Sequence, residues 1–293
     1  MHSNQADNPV KNKPKVTIFD LQSKKDAGIP ITMLTAYDYS SGLFVDRADV
    51  DVILVGDSLA MVMLGIDSTV PITMEQMLHH CQAVAQGASR SFLVGDMPFM
   101  SYQADISEAV QNAGRFLKEG AMESVKLEGG QEVTRAVKAI VAAGIPVMGH
   151  IGLTPQSLSK LGGYKVQGKT AAAAARLLED AIALEDAGCY SIVLEAVPAP
   201  VAEVLSSRLQ IPTIGIGAGV GCDGQVLVYH DLLGIFDRFT PKFVKKYADL
   251  APIITEAISN FVSEVESKRF PAEEHTYPMP VEELQAFIDA VAE

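Results

Sequence analysis

Val52-Ile53-Leu54-Val55-Gly56-Asp57-Ser58 decides the fold. Four aliphatic residues run without a polar break, so a strand here is apolar on both faces, the pattern of a parallel strand covered on both sides. An acid follows at once. The same phrase recurs downstream. Phe92-Leu93-Val94-Gly95 ends in Asp96, Ser124-Val125-Lys126-Leu127 ends in Glu128-Gly129-Gly130, and Ser191-Ile192-Val193-Leu194 ends in Glu195. Four strands therefore close on a carboxylate.

Working outward, comparable runs cover Ile31–Tyr37, Pro146–Gly152, Pro212–Gly219 and Gln225–His230, giving eight strands in all. Helical spacing fills Met74–Gly87, Ile106–Glu119, Gln131–Ala143 and Thr170–Ala187, with Pro71 and Thr73 marking the start of the first. Gly120, Gly144 and Gly188 stand where those helices stop. Strands alternating with helices over about 250 residues predict an α/β fold, a (β/α)8 TIM barrel, ahead of a doubly wound open sheet. Val16–Ala27 reads as a helix able to plug the barrel's bottom, and Phe243–Lys268 as an amphipathic helix. The expected organisation is a loose tail over 1–15, one barrel domain over 16–270, and a C-terminal loop and helix over 271–293.

The 293 residues are 48% hydrophobic and 20% charged, too apolar for a disordered chain. A formal charge of −13 argues against nucleic acid and anionic membrane as partners, since both need a basic footprint. No apolar run approaches the ~20 residues of a membrane helix, and the opening residues lack the pattern of a secretion signal. Cys81, Cys189 and Cys222 are too few and too scattered for a disulfide framework or a thiolate zinc site. A cytoplasmic, reduced protein is expected.

Barrel active sites lie at the C-terminal ends of the strands. One acid there usually caps the next helix. Four acids on one rim repel one another unless a cation or a shared proton neutralises them. An all-oxygen set suits Mg²⁺ or Mn²⁺ better than zinc. A fourth acid is left to move protons. Lys126, two residues before Glu128, shares its inward face and either balances charge or binds an anionic substrate. Ser58 reads as a polar contact, because no nucleophile elbow surrounds it. His150 is read equally well as a buried structural residue or a site residue. His79-His80 reads as a solvated helix face, and Met97–Met100 as packing. The glycines of Ile214–Gly219 fail the dinucleotide register and read as a tight strand exit near a ligand.

Longer motifs carry a resemblance. Thr35-Ala36-Tyr37-Asp38, Val55–Leu59, Gly95–Met100, Lys126–Gly130, Gly149–Gln156, Gly162–Gly168, Leu194–Pro198, Ile214–Gly219, His230-Asp231 and Glu273-Glu274-His275 are similar, in order, to ketopantoate (3-methyl-2-oxobutanoate) hydroxymethyltransferases. The resemblance runs from about Val16 to His275. It implies a barrel of the phosphoenolpyruvate/pyruvate type and transfer of a one-carbon unit from 5,10-methylenetetrahydrofolate to 3-methyl-2-oxobutanoate in pantothenate biosynthesis. Position by position, it implies a Mg²⁺ site at Asp57, Asp96 and Glu128, oxoacid contacts at Asp57, Ser58, Asp96 and Lys126, and a proton acceptor at Glu195. It implies a cytoplasmic homodecamer. Two rivals are a Mg-dependent carbon–carbon lyase or mutase of the same superfamily and a non-catalytic oxoacid-binding barrel. The first is disfavoured by the missing Lys-Lys-Cys-Gly-His loop, the second by Glu195, since a binder needs no base. The folate pocket is not located by the sequence.

Overall fold

The computed structural model describes residues 13–292. Most of the expected tail over 1–15 lies outside the described residues. Eight parallel strands form a closed barrel: β1 (Ile31–Thr35), β2 (Val52–Val55), β3 (Phe92–Asp96), β4 (Ser124–Glu128), β5 (Val147–Gly152), β6 (Ser191–Glu195), β7 (Thr213–Ile216) and β8 (Gly224–Leu227). Each pairs with the next, and β8 closes on β1 through Ile31↔Gly224 to Leu34↔Leu227. The TIM barrel expected from the sequence is therefore the fold, and the open sheet is excluded.

Alternation along the strands sorts residues into two cores. Ile31 and Met33, Val52 and Leu54, Phe92 and Val94, Met148, Val193, Ile214 and Val226 fill the barrel interior. Val16 and Leu21 join them from below. Helix Ile18–Asp26, started by a capping box between Thr17 and Asp20, thus plugs the floor as expected. The opposite parity, including Ile53, Val55, Leu93, Val125, Leu127, Ile192 and Leu194, packs under the helices. Helix Met74–Gly87 starts at Thr73, whose hydroxyl accepts from Gln76 N while the Gln76 side chain accepts from Thr73 N. Gly95 is required by packing: a Cβ there would stand 2.3 Å from the Phe116 ring of helix Ile106–Lys118.

Several expectations need correction. Helices Tyr39–Arg47 and Ala199–Arg208 were not foreseen. The first hides a glycine in its middle, and the second opens on Ala-Pro, which reads as a breaker although proline suits a first turn. The run Gln225–His230 is strand only to Leu227, after which Tyr229–Leu232 is a short helix. Helix Phe243–Lys268 begins only at Leu250. Before it, Val244 N donates to Pro241 O and Tyr247 N to Leu232 O, so these amides serve a turn and a long-range contact instead of a helical ladder.

The barrel unit ends at Tyr247, and residues from Ala248 form a second compact unit. The second unit comprises helix Leu250–Glu266, a turn at Glu273–His275 and helix Val281–Val291. Within it the Phe270 ring packs against Phe261 and His275, with centroids 5.6 and 5.2 Å away. No described helix is long and apolar enough to cross a membrane.

Candidate active site

The parity that fills the barrel interior continues upward into charge. Above Phe92 and Val94 comes Asp96; Ser124 leads to Lys126 and Glu128; Met148 to His150; Val193 to Glu195. Cross-strand register sets Asp96 beside Lys126 and Glu128 beside His150. These residues, with Asp57 and Ser58 from the turn after β2, line one cavity of about 150 Å³ at the barrel mouth. The structure thus brings together every residue that the sequence singled out for the site.

Ion pairs knit the cluster. Lys126 Nζ lies 2.8 Å from Asp96 Oδ1 and 3.9 Å from Glu128 Oε1. His150 bridges two acids, with Nδ1 3.3 Å from Glu128 Oε1 and Nε2 3.2 Å from Glu195 Oε2. It is both buried and part of the cavity wall, so its position fits each of the two readings the sequence left open. Asp57 N donates to Asp96 Oδ2 at 3.1 Å. Asp57, Asp96, Lys126, Glu128 and His150 are all buried.

Burial and the neighbouring acids Asp96 and Glu128 push the Asp57 carboxyl well above the usual carboxylate range. Burial raises Asp96 too, against the pull of Lys126. Glu128 goes the other way: burial would raise it, but His150 and Lys126 hold it below its ordinary value. Burial works against a charged Lys126, yet Asp96, Glu128 and Asp57 outweigh it and raise the ammonium. Burial and Lys126 push the His150 imidazole down, while Glu128 and Glu195 hold it up at about 9.

Gln156 and Tyr37, both missed from the sequence, complete the frame together with Tyr102. Gln156, buried in the turn after β5, donates from Nε2 to Asp57 Oδ2 at 3.0 Å and from its backbone N to Glu128 Oε2 at 3.0 Å. Tyr102 Oη stands 2.9 Å from Gln156 Oε1. Tyr37, buried after β1, places its hydroxyl 2.8 Å from Ser58 Oγ. Gln156 and Tyr37 lie inside motifs quoted above, Tyr102 in none, and none of the three is an acid at a strand end. His80, read as solvated, is half-buried, with Nδ1 2.5 Å from the Tyr37 carbonyl. The reading of Met97–Met100 as packing holds for Met97, which is fully buried, and fails for Met100, which is exposed. Gly217, in the glycine-rich exit from β7, has φ 63° and faces the Phe243 ring, which a Cβ would approach to 2.7 Å. That exit brings Phe243 to the cavity wall.

Among the described residues, no three acids, histidines or cysteines form a ready-made metal cage. Gln156, Lys126 and His150 currently engage the carboxylates. The donor chemistry still fits a hard cation. Asp57, Asp96 and Glu128 offer only oxygen to one small cavity. The four carboxylates outnumber the two basic side chains Lys126 and His150, so the cluster leaves room for a further positive charge.

The chain is similar to known proteins over most of its length. A family profile described as ketopantoate hydroxymethyltransferase matches residues 15–273. The 3-methyl-2-oxobutanoate hydroxymethyltransferase of Carboxydothermus hydrogenoformans is 59% identical over 92% of this chain and 98% of its own length. The enzyme of the same name from Syntrophus aciditrophicus is 55% identical over 90% and 97%. Among solved structures, phosphonopyruvate hydrolase complexed with oxalate and Mg²⁺ shares the fold at 13% identity, with a TM-score of 0.57 over 94% of this chain and 97% of that one. Oxaloacetate acetylhydrolase does so at 13% and 0.57, over 96% of each. With 59% identity over nearly its whole length and a profile match across the barrel, this chain belongs to the ketopantoate hydroxymethyltransferase family.

Proposed function

We propose that the chain transfers a hydroxymethyl group from 5,10-methylenetetrahydrofolate to 3-methyl-2-oxobutanoate, with water, to give 2-dehydropantoate and tetrahydrofolate. The observation that carries this reading is one small cavity whose wall holds Asp57, Asp96, Glu128, Lys126, His150 and Glu195 together. A cavity of about 150 Å³ suits a short oxoacid and an ion, and little more.

Asp57, Asp96 and Glu128 would hold magnesium, one ion per subunit. When bound, magnesium supplies a Lewis acid for the ketone and carboxylate oxygens of the oxoacid. Gln156 aims two of those ligands, Asp57 through its amide and Glu128 through its backbone N–H. Lys126 and Ser58 hold the oxoacid's oxygens, with Tyr37 fixing the Ser58 hydroxyl. Lys126 must share itself with Asp96, which lies 2.8 Å away.

Glu195 accepts the proton from C3 of the oxoacid. His150, beside it at 3.2 Å, keeps a positive charge next to the carboxylate and orients it. Carbon C3 then bonds to the donor's methylene carbon as the first of its two carbon–nitrogen bonds breaks; water's oxygen replaces the second nitrogen to give the hydroxyl, and the proton taken from C3 and one from water end on the two folate nitrogens. The lyase or mutase reading and the binding-only reading have no observation in their favour. The family also carries the expectation of a cytoplasmic homodecamer, testable as a mass ten times 31.3 kDa by light scattering.

The direct test incubates oxoacid, methylenetetrahydrofolate and Mg²⁺ with the protein and follows the hydroxymethylated acid by mass spectrometry. Product that disappears with EDTA and returns with Mg²⁺ supports the reading. No product under any divalent ion overturns it.

A further inference from the structure

Asp231 stands in the wall of the oxoacid cavity, outside the ion-pair cluster. It comes from the short helix Tyr229–Leu232, which is tied to β1 where Tyr229 N donates to Thr35 Oγ1 at 2.8 Å. The residue is only 9% exposed, yet among the described residues no hydrogen bond or ion pair engages its carboxyl. Lys246 acts on it from a distance, and Tyr37 feels its charge. Burial outweighs Lys246 and lifts the carboxyl to about 6, so it gives up its proton close to neutral pH. Glu195, Val228, Asp231, Pro241 and Phe243 also line a second cavity, of about 490 Å³, that adjoins the first. Glu195 and Asp231 are the two acids common to both spaces.

The proposed reaction needs two proton carriers. Both carbon–nitrogen bonds of the donor break, and neither nitrogen leaves as an anion at neutral pH, so each takes a proton as its bond breaks. Glu195 carries one of these protons, the one from C3. The other comes from the water that supplies the hydroxyl, and it must be taken from oxygen and given to nitrogen. A carboxyl does both, accepting at one oxygen while donating from the other. Seven titratable side chains line the oxoacid cavity. Asp57, Asp96 and Glu128 are the proposed ion ligands. Lys126 and His150 hold their protons tightly, because the acids around them favour the charged forms. Glu195 is the base. Asp231 remains.

We infer that Asp231 is the acid–base residue for the second carbon–nitrogen bond. Water's oxygen bonds to the carbon, the electron pair of the carbon–nitrogen bond goes to nitrogen together with the proton of Asp231, and a proton of the water passes to the other Asp231 oxygen. The residue ends as it began, and carbon exchanges nitrogen for oxygen with no change of oxidation state. The inference rests on the proposed function, because only a nitrogen-bound carbon needs this acid. Glu195 and Asp231 then divide the protons: one serves C3, the other the departing amine.

The test compares two carbon donors in native protein and in Asp231→Asn, which keeps the shape of the side chain without its acidic proton. With methylenetetrahydrofolate, kcat is expected to fall about 10²-fold or more. With formaldehyde no carbon–nitrogen bond breaks, and the oxygen of the new hydroxymethyl group takes the proton that Glu195 removed from C3. Product formation from formaldehyde should therefore stay within about threefold of native, as should deuterium wash-in at C3. Circular dichroism and a thermal melt check the fold, and Asp231→Ser repeats the comparison if the Asn variant does not melt cooperatively. A folate-dependent kcat within about threefold of native overturns the assignment. So does a loss shared by all three measurements, which would make Asp231 a structural residue. A native protein that makes no product from methylenetetrahydrofolate overturns the proposed function, and the role of Asp231 with it.

Discussion

The two ends of the barrel use the same residue type for opposite purposes. At the floor, acids stand before the strands, as Asp51 and Asp223 do, or at the end of a helix, as Asp46 does. Asp51 Oδ2 accepts from Thr32 N at 2.9 Å and pairs with Lys24 at 2.6 Å. Asp223 Oδ2 accepts from Thr213 N at 2.8 Å and pairs with Lys25 at 2.8 Å. Asp46 collects the backbone N–H groups of Ser89, Arg90 and Ser91 at 2.7–3.0 Å. Each floor acid has its own donors and answers to its neighbour strand. At the mouth, acids follow the strands and face one another. Burial tends to raise both groups, but the N–H donors bring Asp46 below its ordinary value, whereas neighbouring acids drive Asp57 further up. An acid with private partners stabilises the fold, and acids that share two cations stand ready for a third.

The largest expected effect lies at the mouth. Glu195→Gln removes the base and should slow deuterium wash-in at C3 of the oxoacid by about 10²-fold or more, the usual span for a lost general base. Folding should be preserved, since Gln keeps the shape. Exchange at the native rate would remove Glu195 from the role. The floor should respond in the opposite manner. Asp46→Ala leaves three backbone N–H groups without their charged acceptor and should cost about 3 kcal/mol by urea unfolding. The folded fraction should turn over at the native rate below its melting range. A loss of turnover without a loss of stability would erase the distinction between the two ends. A smaller effect is expected for Asp96→Asn, which should weaken Mg²⁺ on the order of 100-fold by titration. An unaltered apparent affinity would show that Asp96 only partners Lys126.

The contrast also explains how much the sequence revealed. The barrel was legible because both-face apolar runs recur eight times, and the mouth acids were legible because each ends such a run. Asp51 and Asp223 attracted no reading, because an acid before a strand looks like a turn residue, and Asp46 attracted none because it lies inside the unforeseen helix Tyr39–Arg47. Gln156 and Tyr37 were invisible for another reason. Gln156 reaches Asp57 across 99 residues of chain, and no local period encodes that meeting. His150 stayed open because its role depends on Glu128 and Glu195, which come from the strands on either side. The helix boundary at Leu250 was misjudged because the amphipathic spacing extends back through Phe243, while the amides there are used elsewhere.

The smallest expected effect tests the junction between the two cavities. Burial pushes the Asp231 carboxyl up to about 6, against the opposing influence of Lys246. Its ordinary value is 3.8, so the native state holds this proton more tightly than the unfolded chain does. The stability Asp231 contributes is therefore complete below pH 3.8 and is lost as pH rises through 6. Above that, the native state carries an ionised carboxylate withdrawn from water. Asp231→Asn cannot ionise and escapes this penalty. The difference in unfolding free energy, variant minus native, should rise between about pH 4 and 6 by about 1–2 kcal/mol and then level off. Denaturant unfolding at pH 4.5, 5.5, 6.5 and 7.5 measures it. A flat difference would mean that the Asp231 carboxyl is as well solvated as a surface acid, and an increase only above pH 7 would assign the titration to another group. The floor offers the control: Asp51→Asn removes the negative charge that faces Lys24 and Thr32 N and should destabilise the protein across that whole range.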